Sequence, residues 1–275
     1  MIQRTFQHIP GVGPWREKDL WARGIRTWDD FPLEGAPTCI SKKVDLLART
    51  RIEQARDALQ RKDLRFLAEL IPGREHWRLY NQFAEECAFF DIETDGTESQ
   101  TPTVVSVLDG AGIHVFVRGR NLEQLPERLA GSKVWVTFNG SCFDIPMLRR
   151  FFGLSFPTPL LHLDLRFIVR KIGLSGGLKQ IENRVGIGRP LHLQGVNGME
   201  AVTLWRNHLI NRDDAALRLL IEYNIYDSIQ LKSLMDIVYN QAAERLRCDV
   251  PARTVFSRGE ILYDVSRSVL QWAPI

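Results

Sequence analysis

From Cys87 onward the chain alternates short apolar runs with longer helical patterns. The runs CAFFDIE (87–93), TVVSVLD (103–109), IHVFV (113–117) and VWVTFN (134–139) are rich in Val and Phe and end at Gly, Asp or Asn, which predicts strands. Gly110-Ala111-Gly112 joins the second run to the third and predicts a hairpin. Helical periodicity follows at 142–152, 164–172, 177–185, about 199–210 and about 213–245. Strands in hairpin order, followed by a strand and several helices, predict an α/β fold: a mixed sheet flanked by helices.

Upstream the texture differs. Leu46, Leu47, Ile52, Ala55, Leu59, Leu64, Leu67 and Leu70 recur near the helical period among many charges, until Pro72-Gly73 breaks the run. Residues 1 to about 37 set Trp15, Trp21 and Trp28 among glycines and prolines, and indoles suit packing better than exposure. The expected organisation is a small all-α N-terminal region (1–84), an α/β domain (85–245) and a C-terminal extension (246–275) with a helical pattern near its end. No internal repeat or low-complexity segment occurs.

Composition narrows the class without naming a function. With 44% hydrophobic and 25% charged residues over 275 positions, the chain is globular rather than disordered or fibrous. Thirty-six Lys and Arg against 33 Asp and Glu leave +3, too mild to mark a nucleic-acid binder, so any basic surface must be local. Cys39, Cys87, Cys142 and Cys248 lie far apart, with no CxxC pair and no His at zinc spacing, which suits reduced thiols. The first residues lack the apolar core of a signal peptide, and no uninterrupted apolar stretch is long enough to span a bilayer. The expectation is a soluble cytoplasmic protein with no membrane partner.

Three acidic motifs carry the chemistry. In Phe89-Phe90-Asp91-Ile92-Glu93-Thr94, residues two apart on a strand share a face, so Asp91 and Glu93 project together while Phe90 and Ile92 point away. Neighbouring carboxylates repel unless a cation lies between them. In Asn139-Gly140-Ser141-Cys142-Phe143-Asp144 a strand turns sharply into a helix, and Asp144 sits in the first turn, where free N–H groups favour an anion. In Tyr223-Asn224-Ile225-Tyr226-Asp227 the phenol and the carboxylate are four apart and share a helix face. Taken singly, these motifs also fit a solvated strand end, a helix cap and a core-edge tyrosine. Jointly, Asp91, Glu93, Asp144 and Asp227 form a set of oxygen ligands suited to two Mg²⁺ or Mn²⁺ ions. Two such ions stabilise the attacking and leaving oxygens in phosphodiester hydrolysis. Acids in separate neighbourhoods, or a Lys or Arg already filling the space between them, would remove this reading.

The order Asp-x-Glu, Asn-Gly-x-x-Phe-Asp, Tyr-x-x-x-Asp resembles the tyrosine-containing (DEDDy) branch of the DEDD exonucleases, and within it the YprB-type ribonuclease-H-like domain, over about residues 87–240. Family B polymerase proofreading domains are a more distant likeness, and Leu161-His162-Leu163-Asp164-Leu165 also resembles a segment of these relatives. The resemblance implies a ribonuclease-H-like sheet and 3′–5′ hydrolysis of nucleic acid by a two-metal mechanism; the expected nucleic acid is DNA, with RNA as the alternative. It implies Asp91 and Asp227 as metal ligands, Glu93 beside the attacking water, and Asp144 on the other metal. Tyr223 would orient or deprotonate the water, and Thr94 and Asn139 would face the nucleic acid. Asp164 is read as a structural or supporting residue rather than a ligand.

Phe6-Gln7-His8-Ile9-Pro10-Gly11-Val12-Gly13-Pro14, with Glu17 and Leu20, resembles a helix-hairpin-helix start, in which Gly11 and Gly13 would let backbone N–H groups approach a phosphate. Arg149, Arg150, Arg166, Arg170, Lys171, Lys179, Arg184 and Arg189 lie between the second and third motifs; some could line a strand groove, while most suit solvated helix faces. His162 and His192 are expected to be hydrogen-bonded structural histidines. Two alternatives stand beside the exonuclease: a structure-specific endonuclease, and a nucleic-acid-binding or assembly module of little activity.

Overall fold

A computed structural model describes residues 1–32, 40–255 and 265–272, so Cys39 and parts of the C-terminal stretch lie outside the described residues. Two units are distinguished: residues 1–84 with 243–251, and residues 85–242 with 252–275.

The first unit is helical. Helix α1 (Pro14–Ala22) follows Gly11, whose φ of +84° turns the chain where a side chain would be strained. Helices α2 (Lys42–Gln60) and α3 (Leu64–Leu70) follow, then a 3₁₀ segment at Gly73–Gln82. A single 3₁₀ turn, Ile2–Arg4, precedes the glycine hairpin. Glu17 in the first turn of α1 is buried and accepts hydrogen bonds from Thr5 Oγ1, Phe6 N and Gln7 Nε2. Its charge is met by Arg78, which also pairs with Glu75 at 2.7 Å. Such a triad is tolerated because each charge is both paired and hydrogen-bonded. Trp28 is buried as expected, but Trp15 is 76% exposed.

The second unit carries a five-stranded sheet of order β3-β2-β1-β4-β5. Its strands are β1 (Cys87–Thr94), β2 (Pro102–Asp109), β3 (Gly112–Val117), β4 (Val134–Thr137) and β5 (Leu161–Asp164). The expected hairpin is present, with Asp109 opposite Gly112, and β1 pairs antiparallel with β2 but parallel with β4. Short helices α4 (Leu125–Ala130), α5 (Asp144–Phe152), α6 (Leu165–Ile168) and α7 (Leu178–Val185) are followed by α8 (Gly198–Asn211), the long α9 (Asp214–Arg245) and α10 (Val265–Trp272). The mixed sheet flanked by helices agrees with the sequence pattern. Strand β4 stops at Thr137 rather than running to Asn139, because Asn139 has φ +69° and leaves the extended region. Strand β5 was not foreseen as a strand.

Phe90 and Ile92 of the central strand enter a core with Val105, Val107, Phe116 and Trp135. The opposite face of the same strand therefore carries Asp91 and Glu93, two residues apart. Helix α9 comes close to that face because the residues between are small. Ser106, the cross-strand partner of Asp91, exchanges hydrogen bonds with Ser228 and reaches the Asn224 carbonyl at 2.7 Å.

Candidate metal and active site

The approach of α9 to β1 sets the site. Asp91, Glu93 and Asp227 each offer a carboxylate oxygen, and these atoms all lie within 4.8 Å of one another. Asn224, one turn before Ser228 on the helix face turned to the sheet, donates Nδ2–H to the Asp91 carbonyl at 3.2 Å and to its carboxylate at 3.3 Å. Asp144 is buried in the first turn of α5 and lines the same cleft, but is not one of the three acids that close up within that distance. Thr94, Asn139 and Tyr223 also line this cleft of about 680 Å³. Gly11 and Gly13 belong to the helical unit and line no part of it.

Electrostatics marks the cluster as strained without a cation. Removal from water raises the Asp91 carboxyl well above its usual range, and Asp227, Asp144 and Glu93 push it further. Glu93 is raised for the same reason, with Asp227 and Asp144 adding repulsion and Lys179 opposing it. Asp144 is raised to about 7, first by burial and also by Asp164 and Asp227, against hydrogen bonds from its own and the Ile92 backbone. Burial and the same acids push the Tyr223 phenol upward, so it stays protonated at neutral pH. Hard oxygen donors, held close and reluctant to ionise together, fit a divalent cation, which would offset the repulsion among the acids.

Two cations of the chain already serve the cluster. Arg189 Nη2 lies 2.6 Å from Asp227 Oδ1 and 2.6 Å from Glu182 Oε1, while its Nε donates to Glu182 Oε2 at 2.9 Å. The Arg189 side chain is 6% exposed and Glu182 3%, so Glu182 fixes a buried fork against Asp227 of the acidic cluster. Arg189 takes one oxygen of Asp227, whose Oδ2 accepts no hydrogen bond among the described residues. The cluster is thus partly, not wholly, met by an internal cation. Lys179 sits 4.5 Å from the Tyr223 ring centroid and donates to the Val196 carbonyl.

The sequence pattern had offered Arg189 and Lys179 only as groove candidates, and had given Glu182 and Asn224 no role. Helical spacing carried a usable signal: Lys179 and Glu182 are three apart on α7, and Asn224, Asp227 and Ser228 share one face of α9. Arg149, Arg150 and Arg184 are exposed. Asp164 accepts backbone N–H groups from Asn139, Ser141 and Arg166, which ties β5 to the turn ahead of Asp144 and occupies its carboxylate structurally. His162 bonds Thr137 at 2.9 Å and His192 bonds Glu222 at 2.9 Å. Among the described residues no helix is long and apolar enough to cross a membrane.

Neither a curated protein nor a solved structure matches the chain. A family model does, described as RNase_H superfamily and covering residues 88–239, from the first strand to the last turns of α9. A stretch that holds the sheet, the acidic cluster and the helix bearing Asp227, and makes up more than half of the sequence, places this chain in the RNase H superfamily.

Proposed function

We propose that this chain is a metal-dependent 3′–5′ exonuclease that hydrolyses phosphodiester bonds of nucleic acid, DNA favoured. The observation that carries the reading is the close set of Asp91, Glu93 and Asp227, with Tyr223 one helical turn before Asp227, in a cleft of a RNase H superfamily chain. Mg²⁺ or Mn²⁺ held by Asp91, Glu93 and Asp227, with Asp144 serving a second ion, would supply an activated water and charge stabilisation for the departing oxygen. Glu93 would also stand beside that water and accept its proton. Tyr223, its phenol pushed upward by burial, would orient that water as an O–H donor rather than remove its proton. Thr94, Asn139 and the exposed Met199 line the part of the cleft that a terminal nucleotide would enter.

A second reading, a nucleic-acid-binding module that hydrolyses nothing, is favoured by one observation: Arg189 already neutralises part of Asp227. Purified protein with Mn²⁺ should shorten a 5′-labelled linear strand step by step, and Asp91→Ala or Asp227→Ala should lose this activity. A circular strand left intact separates an exonuclease from an endonuclease. Equal behaviour of the wild type and Asp91→Ala would leave the binding module as the better description.

A further inference from the structure

The basic excess of the chain is concentrated in its helical unit. There Lys and Arg number 17 against 13 Asp and Glu, whereas the α/β unit has 19 against 20. Much of that positive charge is locally paired: Arg23 with Asp19, Arg49 with Asp45, Arg56 with Asp29, Arg61 with Asp57, and Arg78 with Glu17. One concavity departs from this pattern. A cavity of about 310 Å³ is lined by Arg4, Lys18, Arg26, Arg245 and Arg247 together with Trp21, and no acid lines it. Lys18, Arg26 and Arg247 are exposed and form no ion pair among the described residues. The Arg4 guanidinium turns to the Asp249 carbonyl at 2.6 Å.

Cations gathered in one hollow repel one another and raise the local positive potential, which an anionic ligand relieves. Aromatic surface accompanies the charge. Trp21 lines the cavity with its Nε1 spent on the Arg4 carbonyl, so its ring serves as surface rather than as a donor. Trp15 precedes Lys18 and Ala22 by three and seven residues on α1, hence on the same face, and stays 76% exposed. A positively charged hollow flanked by an exposed ring is the arrangement that holds phosphates while bases stack.

We infer that this face of the helical unit, made of Trp15, Lys18, Trp21, Arg26, Arg245 and Arg247, is a second binding site for single-stranded nucleic acid, separate from the acidic cleft. Neither Gly11 nor Gly13 lines it, so it does not depend on the glycine hairpin. The choice of a nucleic-acid strand over another polyanion rests on the nuclease reading above, and the aromatic surface supports it independently. The site retains strand by backbone charge and stacking, without reading sequence.

The test is anisotropy of a fluorescein-labelled single strand titrated with the full chain in EDTA across a series of KCl concentrations. Lys18→Gln/Arg26→Gln/Arg247→Gln alters only exposed side chains and should weaken binding about tenfold or more, flattening the log–log salt slope by about 2. Trp15→Ala should weaken it by roughly fivefold or more and abolish part of the indole quenching that the strand produces. Wild-type affinity and slope in the triple variant would overturn the site. So would absence of strand binding by the wild type, or displacement of the strand by polyglutamate at equal charge concentration. Because binding is read without a divalent ion, the two ideas fail separately. A protein that binds through these residues yet never shortens a strand in Mn²⁺ keeps the site and loses the nuclease reading. A protein that shortens strands while the triple variant binds normally loses the site alone.

Discussion

At the scale of single residues, the acids of the cleft hold protons that a bound cation would have to displace. Asp144 has its folded-state pKa raised from 3.8 to about 7. A raised acid is protonated in the folded chain and ionised in the unfolded one between those values, so its contribution to stability is complete below about pH 4 and is lost as pH rises towards 7. Buried His8, lowered to about 4 mainly by burial, acts in the opposite sense over part of that window, so a single melting curve would mix the two. The difference between the wild type and Asp144→Asn isolates the carboxyl. In EDTA the variant should melt close to the wild type near pH 4 and above it near pH 8, as read by thermal unfolding. A constant offset at all pH values would show that Asp144 is not held protonated. Arg189 and Glu182 make the complementary case. Removing the guanidinium with Arg189→Met leaves Glu182 buried and unpaired, and breaking a buried pair costs about 3–5 kcal/mol. Glu182→Gln added to it should recover much of that loss in a double-mutant cycle; strictly additive losses would deny the coupling.

At the scale of elements, the turn between β4 and α5 is the tightest joint of the site. A methyl group at Gly140 would lie 2.1 Å from Thr137 Oγ1 and 2.6 Å from its Cβ, on a residue that is fully buried. Gly140→Ala should therefore cost about 1–3 kcal/mol by overpacking and displace Asn139 and Asp144 together. Denaturant unfolding checks the first effect, and a weakened response to Mn²⁺ checks the second. Much of this region was legible from sequence: Val134–Thr137 is made of β-branched and aromatic residues, and glycine after asparagine announces the turn. The boundary was not, since the left-handed φ of Asn139 is fixed by Asp164 accepting its N–H from 25 residues away. Strand β5 escaped notice because Leu161–Asp164 is only four residues long and owes its extended form to pairing with β4. The acids of β1 and α9 were legible because strand and helix periodicities put them on definite faces. The partners of Asn224 and Arg189 were not, because those contacts span 133 and 38 positions of chain.

At the scale of the whole molecule, every acid of the cluster comes from the α/β unit, although α9 itself runs on into the helical one. A ligand that binds only the folded form stabilises what it binds, by about 2.7 kcal/mol when present at one hundred times its dissociation constant. The proposed ligands belong to β1, α5 and α9, so a divalent ion held by them should raise the local unfolding free energy of those elements first. Hydrogen exchange in EDTA and in Mn²⁺ reads this segment by segment. Protection should increase over 87–94, 137–152 and 214–235, where the raised carboxyls cease to repel one another, and should change little over 1–32. Equal gains in both units would mean that the ion acts on the chain as a general electrolyte. Gains confined to 1–32 would move the metal away from Asp91, Glu93 and Asp227 altogether. The same comparison on Asp227→Asn supplies the internal control: the variant keeps the sheet and the approach of α9 through Ser106 and Ser228 but loses one anionic group of the cluster, so the Mn²⁺-dependent protection of β1 should fall with it.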